Sequence, residues 1–130
     1  FGRANNDPND NTARGLNWGF SQYKQFLRQS DCPQPAMTWV TLDEQPDSVN
    51  DAFFITDPNV NNWQDIPASY HNGACGFSFA DGHAEIHKWL SATSKYPGGK
   101  YAYPSVRSFD AAGKQDMAWY KARIQQIPAK

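Results

Sequence analysis

The sequence predicts an α+β fold: an antiparallel sheet with a central Asp-Gly hairpin, one helix packed on that sheet, and a short C-terminal helix. The hairpin is predicted because Asp81 and Gly82 lie between two alternating apolar runs, the strongest short-range hairpin pattern. Residues 36–43 are rich in Thr, Val and Trp, which is typical of a strand. Apolar residues recur at helical spacing near both ends of the chain.

Size and charge restrict the class of protein. A chain of 130 residues is long enough for one domain with a core, and we expect residues 1–130 to form a single soluble unit. The 12 basic and 13 acidic residues give a net charge of -1, which disfavours nucleic acid and anionic membranes as partners. No apolar run approaches the roughly 20 residues of a membrane span. Because the chain begins at Phe1, we expect that an N-terminal part is missing.

The first third of the chain predicts a tail, a helix and a central strand. Residues 1–14 are rich in Asn and Asp, so they are expected to be a tail or loop. A helix is predicted to run to about residue 29, because four apolar residues recur at steps of four, three and four: Leu16, Phe20, Tyr23 and Leu27. Pro33 and Pro35 follow it. The strand at 36–43 is predicted to lie in the centre of the sheet, with both faces at least partly covered.

The later segments predict loops and one more helix. A turn at Asp47, a short strand at 53–55 and a surface loop pinned by Trp63 and Ile66 are expected. Residues 97–113 are predicted to be irregular coil. A C-terminal helix with Asp116 at its N-terminal end and Pro128 as its stop is predicted from the spacing of Met117, Tyr120, Ile124 and Ile127.

The hairpin turn sets the predicted register of its two strands. A type I′ turn needs a positive φ at both central positions, which Asp81 and Gly82 would supply. Phe77 would then pair with Ile86. The predicted core face consists of Phe77, Phe79, Ala84 and Ile86. The opposite, water-facing side consists of Ser78, His83, Glu85 and His87.

Two sets of residues are candidates for metal sites. His83, Glu85 and His87 repeat at every second position, as zinc ligands on a strand can. The polar side of any half-exposed hairpin gives the same pattern, which we prefer. Calcium favours clustered carboxylates in a loop, here Asp43, Glu44, Asp47 and Asp51. Their spacing is not that of an EF-hand, and capping or Asx turns explain Asp47 and its neighbour Asn50, so capping is the interpretation we favour.

Aromatic residues of the C-terminal third allow two interpretations. Exposed rings could bind a polysaccharide or a protein, whereas buried rings would pin the coil onto the sheet, which we prefer. The residues concerned are Trp89, Tyr96, Tyr101, Tyr103, Trp119 and Tyr120. No nucleophile motif, phosphate loop or nucleotide fingerprint is present, which favours a non-enzymatic role. Cys32 and Cys75 allow one pairing, and composition leaves open whether they form a disulfide.

Three ordered segments carry a resemblance to a known family. His71, nine residues and then Asp81-Gly82 lie within "SYHNGACGFSFADGHAEIHKW". Upstream is "AMTWVTLDEQPDSVNDAFF", and downstream is "DMAWYKAR". Together they resemble the prepilin-type-processing-associated H-X9-DG domain family, in particular its members from Verrucomicrobia and Planctomycetes. The resemblance covers about residues 36–125.

The resemblance implies a structural role in the cell envelope. Members of the family are similar to type IV pilins and type II secretion pseudopilins, which have a cleaved leader, a long apolar N-terminal helix and a soluble α+β head. Residues 1–130 would be such a head, located in the periplasm, on the cell surface or outside the cell. Its partners would be other pilin-like subunits or secretion proteins, and only the missing helix would enter a membrane. This location also favours a Cys32–Cys75 disulfide. No cofactor is implied, although calcium binding stays open.

The signature does not require His71 and Asp81 to touch. An extended segment over 75–80 alone spans about 20 Å, and few residues remain to fold back. We therefore expect Asp81 to serve the turn, and His71 with Asn72 and Gly73 to shape the start of the strand.

Overall fold

The computed structural model describes residues 23–51, 53–125 and 127–128. Its regular elements are strands β1 (Trp39–Leu42), β2 (Ala74–Phe79) and β3 (Ala84–Lys88), helix α1 (Ala111–Lys121), and short 3-10 turns at Gln29–Asp31, Pro35–Met37 and Ala92–Ser94. The three strands form an antiparallel sheet in the order β1-β2-β3. The predicted α+β class with an antiparallel sheet is therefore confirmed. Within the described ranges no helix is long and apolar enough to cross a membrane.

Aromatic side chains from the loops, the sheet and the helix form the core. Trp63 is 0% exposed and makes edge contacts with Trp89, Phe109 and Tyr120 at centroid distances of 5.3–5.5 Å. Its indole N–H donates to the Ser94 hydroxyl at 3.1 Å, so the buried ring leaves no polar atom unpaired. Trp63 and Ile66 are both fully buried, which confirms that they pin the 56–74 loop.

Helix α1 begins and ends earlier than predicted. Asp110 caps it by accepting the Gly113 N–H at 2.7 Å, so the helix starts inside the segment predicted to be coil. It ends at Lys121, and therefore Ile124 and Ile127 lie beyond it and Pro128 is not its stop.

Asp116 lies in the middle of α1 rather than at its start, and its carboxylate is buried. It accepts the main-chain N–H groups of Leu90 at 2.9 Å and Ser91 at 3.0 Å. These two bonds tie the helix to the segment that leaves β3, because a buried carboxylate needs such donors. Trp119 and Tyr120, on the same helix, pack on the sheet.

The N-terminal helix is not present in the part of its range that the structure describes. Residues 23–28 are not helical, and Tyr23 instead forms an isolated bridge with Pro128. The rest of the predicted helix, 16–22, and the predicted tail at 1–14 lie outside the described residues. Long-range pairing with the C-terminal segment has overridden the local apolar spacing.

Two strand predictions are also corrected. β1 lies at the edge of the sheet, and β2 takes the centre. Residues 53–55 are not a strand, because the Ile55 N–H donates to the side chain of Asp65 rather than to a neighbouring strand. β1 starts only at Trp39, since Pro35 begins a 3-10 turn just before it.

The turn between β2 and β3 has three residues rather than two. Phe79 accepts the Gly82 N–H at 2.9 Å and donates its own N–H to His83 O at 2.9 Å. A type I′ turn would need a positive φ at both Asp81 and Gly82. Only Gly82 has one, at +94°, so the turn is not type I′. A type I turn closed by one left-handed glycine is the usual three-residue form.

The extra turn residue shifts the register by one and exchanges the faces of β3. Phe77 pairs with Glu85, and Cys75 pairs with His87. Since paired residues share a face, His83, Glu85 and His87 lie on the same side of the sheet as Phe77 and helix α1. Glu85 and His87 are partly buried there, whereas His83 stays exposed. Ile86, predicted to be core, is 71% exposed, and Ala84 is exposed too.

Asp81→Gly distinguishes the two turns. Glycine would suit a type I′ turn, but here Asp81 has a negative φ and its carboxylate accepts the His83 N–H at 3.1 Å. We expect the substitution to lower the free energy of unfolding by about 1 kcal/mol, measured by urea unfolding. Gly82→Ala should be destabilising with either turn and serves as a control. An unchanged or higher stability for Asp81→Gly would contradict the three-residue turn.

Candidate functional site

The signature segment meets the end of β1 at one carboxylate. Asp43 Oδ2 accepts a hydrogen bond from His71 Nε2 at 3.2 Å and another from the Gly76 N–H at 3.2 Å. The Asp43 N–H also donates to Gly76 O at 3.1 Å, and Asp43 O accepts the Ala68 N–H at 2.8 Å. We call Asp43, His71, Cys75 and Gly76 the motif junction. It ties the long loop, β1 and β2 together.

Gly76 is required by the close approach of that carboxylate. A Cβ atom at this position would lie 2.7 Å from Asp43 Oδ2, closer than real Cβ contacts. The junction therefore depends on the absence of a side chain at the middle of β2.

The start of β2 directs His71 toward Asp43. Asn72 and Gly73 have φ values of +52° and +80°, two successive left-handed residues that reverse the chain. The Gly73 N–H donates to Ser69 O at 2.9 Å, and the Ala74 N–H donates to His71 O at 3.1 Å. This geometry agrees with the structural role expected for His71, Asn72 and Gly73.

Asp81 has a separate partner. Its carboxylate contacts His83 Nδ1 at 2.6 Å as well as the His83 N–H. The hydrogen bond from the His83 side chain is the largest cause of the lowered pKa of Asp81. Thus His71 and Asp81 each serve a different turn, at opposite ends of β2.

Cys75 lies close to Asp43, and its burial disfavours the thiolate form. The thiol is fully buried and donates to Asp43 O at 3.2 Å. Burial raises its pKa from 9.0 to about 12, so the reactive thiolate is scarce at neutral pH.

The predicted disulfide is not formed. Cys32 and Cys75 are both free and buried. Cys32 Sγ contacts Thr38 Oγ1 at 3.1 Å, whereas Cys75 donates to Asp43 O. Each sulfur is therefore held by a different segment of the chain.

The three zinc candidates share a face but turn to different partners. His83 stacks on Phe79 with ring centroids 4.3 Å apart. Glu85 Oε1 lies 3.5 Å from Arg123 Nε. His87 stacks on the Trp119 ring at 3.5 Å. In the described part of the chain no group of three His, Cys, Asp or Glu side chains could hold a metal ion.

His87 occupies an apolar and partly buried position. Burial is the main cause of its lowered pKa; Arg123 lowers it further, while Asp116 and Glu85 raise it. Its Nε2 atom is buried and has no hydrogen-bond partner among the described residues. The ring thus acts chiefly as a packing surface beside Trp119.

The calcium candidates hold groups of the chain itself. Glu44 accepts the Ser48 hydroxyl at 2.9 Å, and Asp51 accepts the Phe53 N–H at 2.7 Å. Asp47 accepts the N–H groups of Lys100 at 2.9 Å and Tyr101 at 3.0 Å, and the first of these bonds is the main cause of its lowered pKa. Asp43 belongs to the motif junction. The preferred interpretation as turn formers fits Asp51, whereas Asp47 binds the distant 100–101 segment instead of capping its own turn.

Most of the C-terminal aromatic residues belong to the core. Trp89, Tyr96 and Tyr120 are buried, and Trp119 is half-buried. Tyr101 and Tyr103 are the exceptions, at 97% and 49% exposed, although Tyr103 donates its hydroxyl to Gln64 O at 2.6 Å.

Sequence reasoning did not find the partners that organise the site. Asp43 and His71 are 28 residues apart, and Arg123 reaches Glu85 from beyond α1. In the sequence, Asp43 stands out only as a candidate calcium ligand. The signal that could have pointed to it was Gly76, since glycine inside a strand often marks a close approach.

No family model matches the chain, and no match was found among curated proteins or solved structures. The resemblance to the H-X9-DG family therefore rests on the three sequence segments and stays a prediction.

A double-mutant cycle tests the motif junction. Gly76→Ala should lower the free energy of unfolding by about 1–3 kcal/mol, because its Cβ meets Asp43 Oδ2. In an Asp43→Ala background the same substitution should cost at least about 1 kcal/mol less. A His71→Ala background is the control: it keeps the carboxylate, so the cost of Gly76→Ala should persist. Equal costs in all three backgrounds would contradict the predicted clash.

Alkaline pH tests the burial of Cys75. The pKa is about 12 in the folded state against 9.0 for an ordinary thiol, so the folded state holds the proton more tightly. This stabilisation is complete below pH 9 and is lost as the pH rises toward about 12. We expect wild type to lose more stability than Cys75→Ala over this range, measured by denaturant unfolding. Parallel pH profiles would show that the thiol is not buried as described.

Proposed function

We propose that this chain is the head domain of a structural, non-enzymatic component of a pseudopilin-like or pilin-like assembly in the cell envelope, serving type II secretion or a surface filament. The observation that carries the proposal is the use of the signature residues. His71 binds Asp43, and Asp81 binds His83, so both signature side chains stabilise turns of the chain itself. This is the use expected of a scaffold rather than of a reaction centre.

The fold supports the finer part of the proposal, a pilin-like head with a central Asp-Gly hairpin. β2 lies between two antiparallel neighbours, and its turn contains Asp81 and Gly82. The head would lie in the periplasm, on the surface or outside the cell, joined to the membrane through a preceding helix. Its partners would be other pilin-like subunits or secretion proteins. Burial of both free thiols makes them compatible with an oxidising compartment.

One observation favours a second candidate function, a binding module for polysaccharide or protein. Tyr101 is 97% exposed and has a φ of +53°, which is uncommon for a bulky residue. Asp47 maintains this backbone by accepting the Tyr101 N–H. An exposed ring on a strained backbone is a feature of some binding sites.

Fractionation of source cells that produce the tagged full-length protein separates the two functions. The structural role predicts that the protein is found with envelope or sheared-filament material and cross-links to pilin-like subunits. Gly76→Ala, which disturbs the motif junction, should reduce this assembly, whereas Tyr101→Ala with Tyr103→Ala should leave it unchanged.

The opposite result would favour the binding module. The aromatic residues would carry the function if the Tyr101→Ala, Tyr103→Ala variant no longer bound cell-surface polysaccharide while Gly76→Ala still bound it. A freely soluble cytoplasmic protein without envelope partners would overturn both functions.

A further inference from the structure

We propose that β3 is the docking edge for a second copy of this chain, which pairs with it antiparallel about a twofold axis at Ile86.

Hydrogen-bond alternation shows which groups β3 presents outward. The Phe79 N–H donates to His83 O, and the Trp89 N–H donates to Gly73 O, each at 2.9 Å. In an antiparallel ladder these bonded pairs alternate with non-bonded ones. The odd-numbered residues from 83 to 89 therefore face β2. The N–H and C=O groups of Ala84, Ile86 and Lys88 point away from the sheet.

The opposite edge of the sheet is already occupied at the start of β1 and just beyond its end. The Trp39 N–H in β1 donates to Arg123 O at 3.2 Å. Just beyond β1, Asp43 O accepts the Ala68 N–H at 2.8 Å, and the Gln45 N–H donates to Ile66 O at 2.9 Å. Within the described residues, β3 is thus the edge that leaves a row of main-chain groups for a partner strand.

The side chains select both the partner and the register. With the axis at Ile86, its 71% exposed side chain meets Ile86 of the second copy. Glu85 then lies opposite His87 of the second copy, so a carboxylate faces an imidazole. An axis at residue 85 would place Glu85 opposite Glu85 of the second copy. An axis at residue 87 would place His87 opposite His87 of the second copy. Of these three registers, only the one centred on Ile86 places a carboxylate opposite an imidazole.

Lysine on an edge strand commonly prevents this kind of pairing. Here Lys88 would meet Ala84 of the second copy, so the two ammonium groups are not opposed. The outward main-chain groups also match this register. The twofold pairs Ile86 with Ile86, and Ala84 with Lys88, of the second copy, and both are positions whose N–H and C=O groups point toward the partner strand.

The contact is short, which sets its expected strength. Five residues on each side bury much less than the roughly 1,000 Å² of a stable interface, so the dimer should be weak and concentration-dependent. It extends the sheet from three strands to six. This pairing does not depend on the envelope role proposed above.

Sedimentation velocity over about 1 µM to 1 mM tests the proposal. Wild type should pass from monomer to dimer. Ile86→Lys, which places like charges on the axis, should weaken association by at least about tenfold. The matched control is Val106→Lys, which changes another exposed apolar residue, 52% exposed, and should dimerise like wild type. Circular dichroism checks that each variant is folded.

Amide hydrogen exchange provides the second measurement. Protection of Ala84, Ile86 and Lys88 should rise with protein concentration in wild type and not in Ile86→Lys. Three results would overturn the proposal: a monomer at every concentration, a dimer that Ile86→Lys leaves intact, or protection of these amides that is independent of concentration. The last result would mean that a segment of the same chain covers the edge.

Discussion

The hydrogen bond from the Gly82 N–H to Phe79 O closes the turn that sets the register of the sheet. Because side chains alternate along a strand, this turn decides which residues of β3 face the helix. It places Glu85 and His87 on the same side as Phe77 and leaves Ile86 in water. The contacts of Glu85 with Arg123 and of His87 with Trp119 follow from that register.

The register places polar side chains of β3 beside the apolar core. Stacking on the Trp119 ring stabilises these polar groups there. The imidazole of His87 and the guanidinium of Arg123 both lie on the Trp119 ring, at 3.5 Å and 3.8 Å. A guanidinium over an indole face gains cation–π attraction while its charge approaches Glu85. His87 has a lowered pKa, so its neutral form packs there without a buried charge.

Local patterns predicted the parts of the fold that depend on local chemistry. The strand at Trp39–Leu42, the C-terminal helix and the reversal at Asp81-Gly82 follow from composition and turn preferences. The register did not, because an Asp-Gly pair suits both a two-residue and a three-residue turn. The Asp110 cap was missed, although it is an ordinary N-cap residue.

Long-range contacts account for the remaining differences. The pairing of Asp43 with His71 and the bridge of Tyr23 with Pro128 join residues far apart in the chain. No spacing rule connects such residues. Likewise, the disulfide was inferred from a cellular setting, whereas the structure buries Cys32 and Cys75 against different segments.

The close approach at Gly76 has a consequence for the order in which this protein can change during evolution. A larger residue at 76 collides with Asp43 Oδ2, only 2.7 Å from the nearest new atom. If the carboxylate at 43 is lost first, that obstacle is gone and a larger residue at 76 is tolerated. In the opposite order, the larger residue meets the carboxylate and is selected against. In diverging lineages, positions 43 and 76 should therefore change as a pair, with the acidic residue replaced before the glycine.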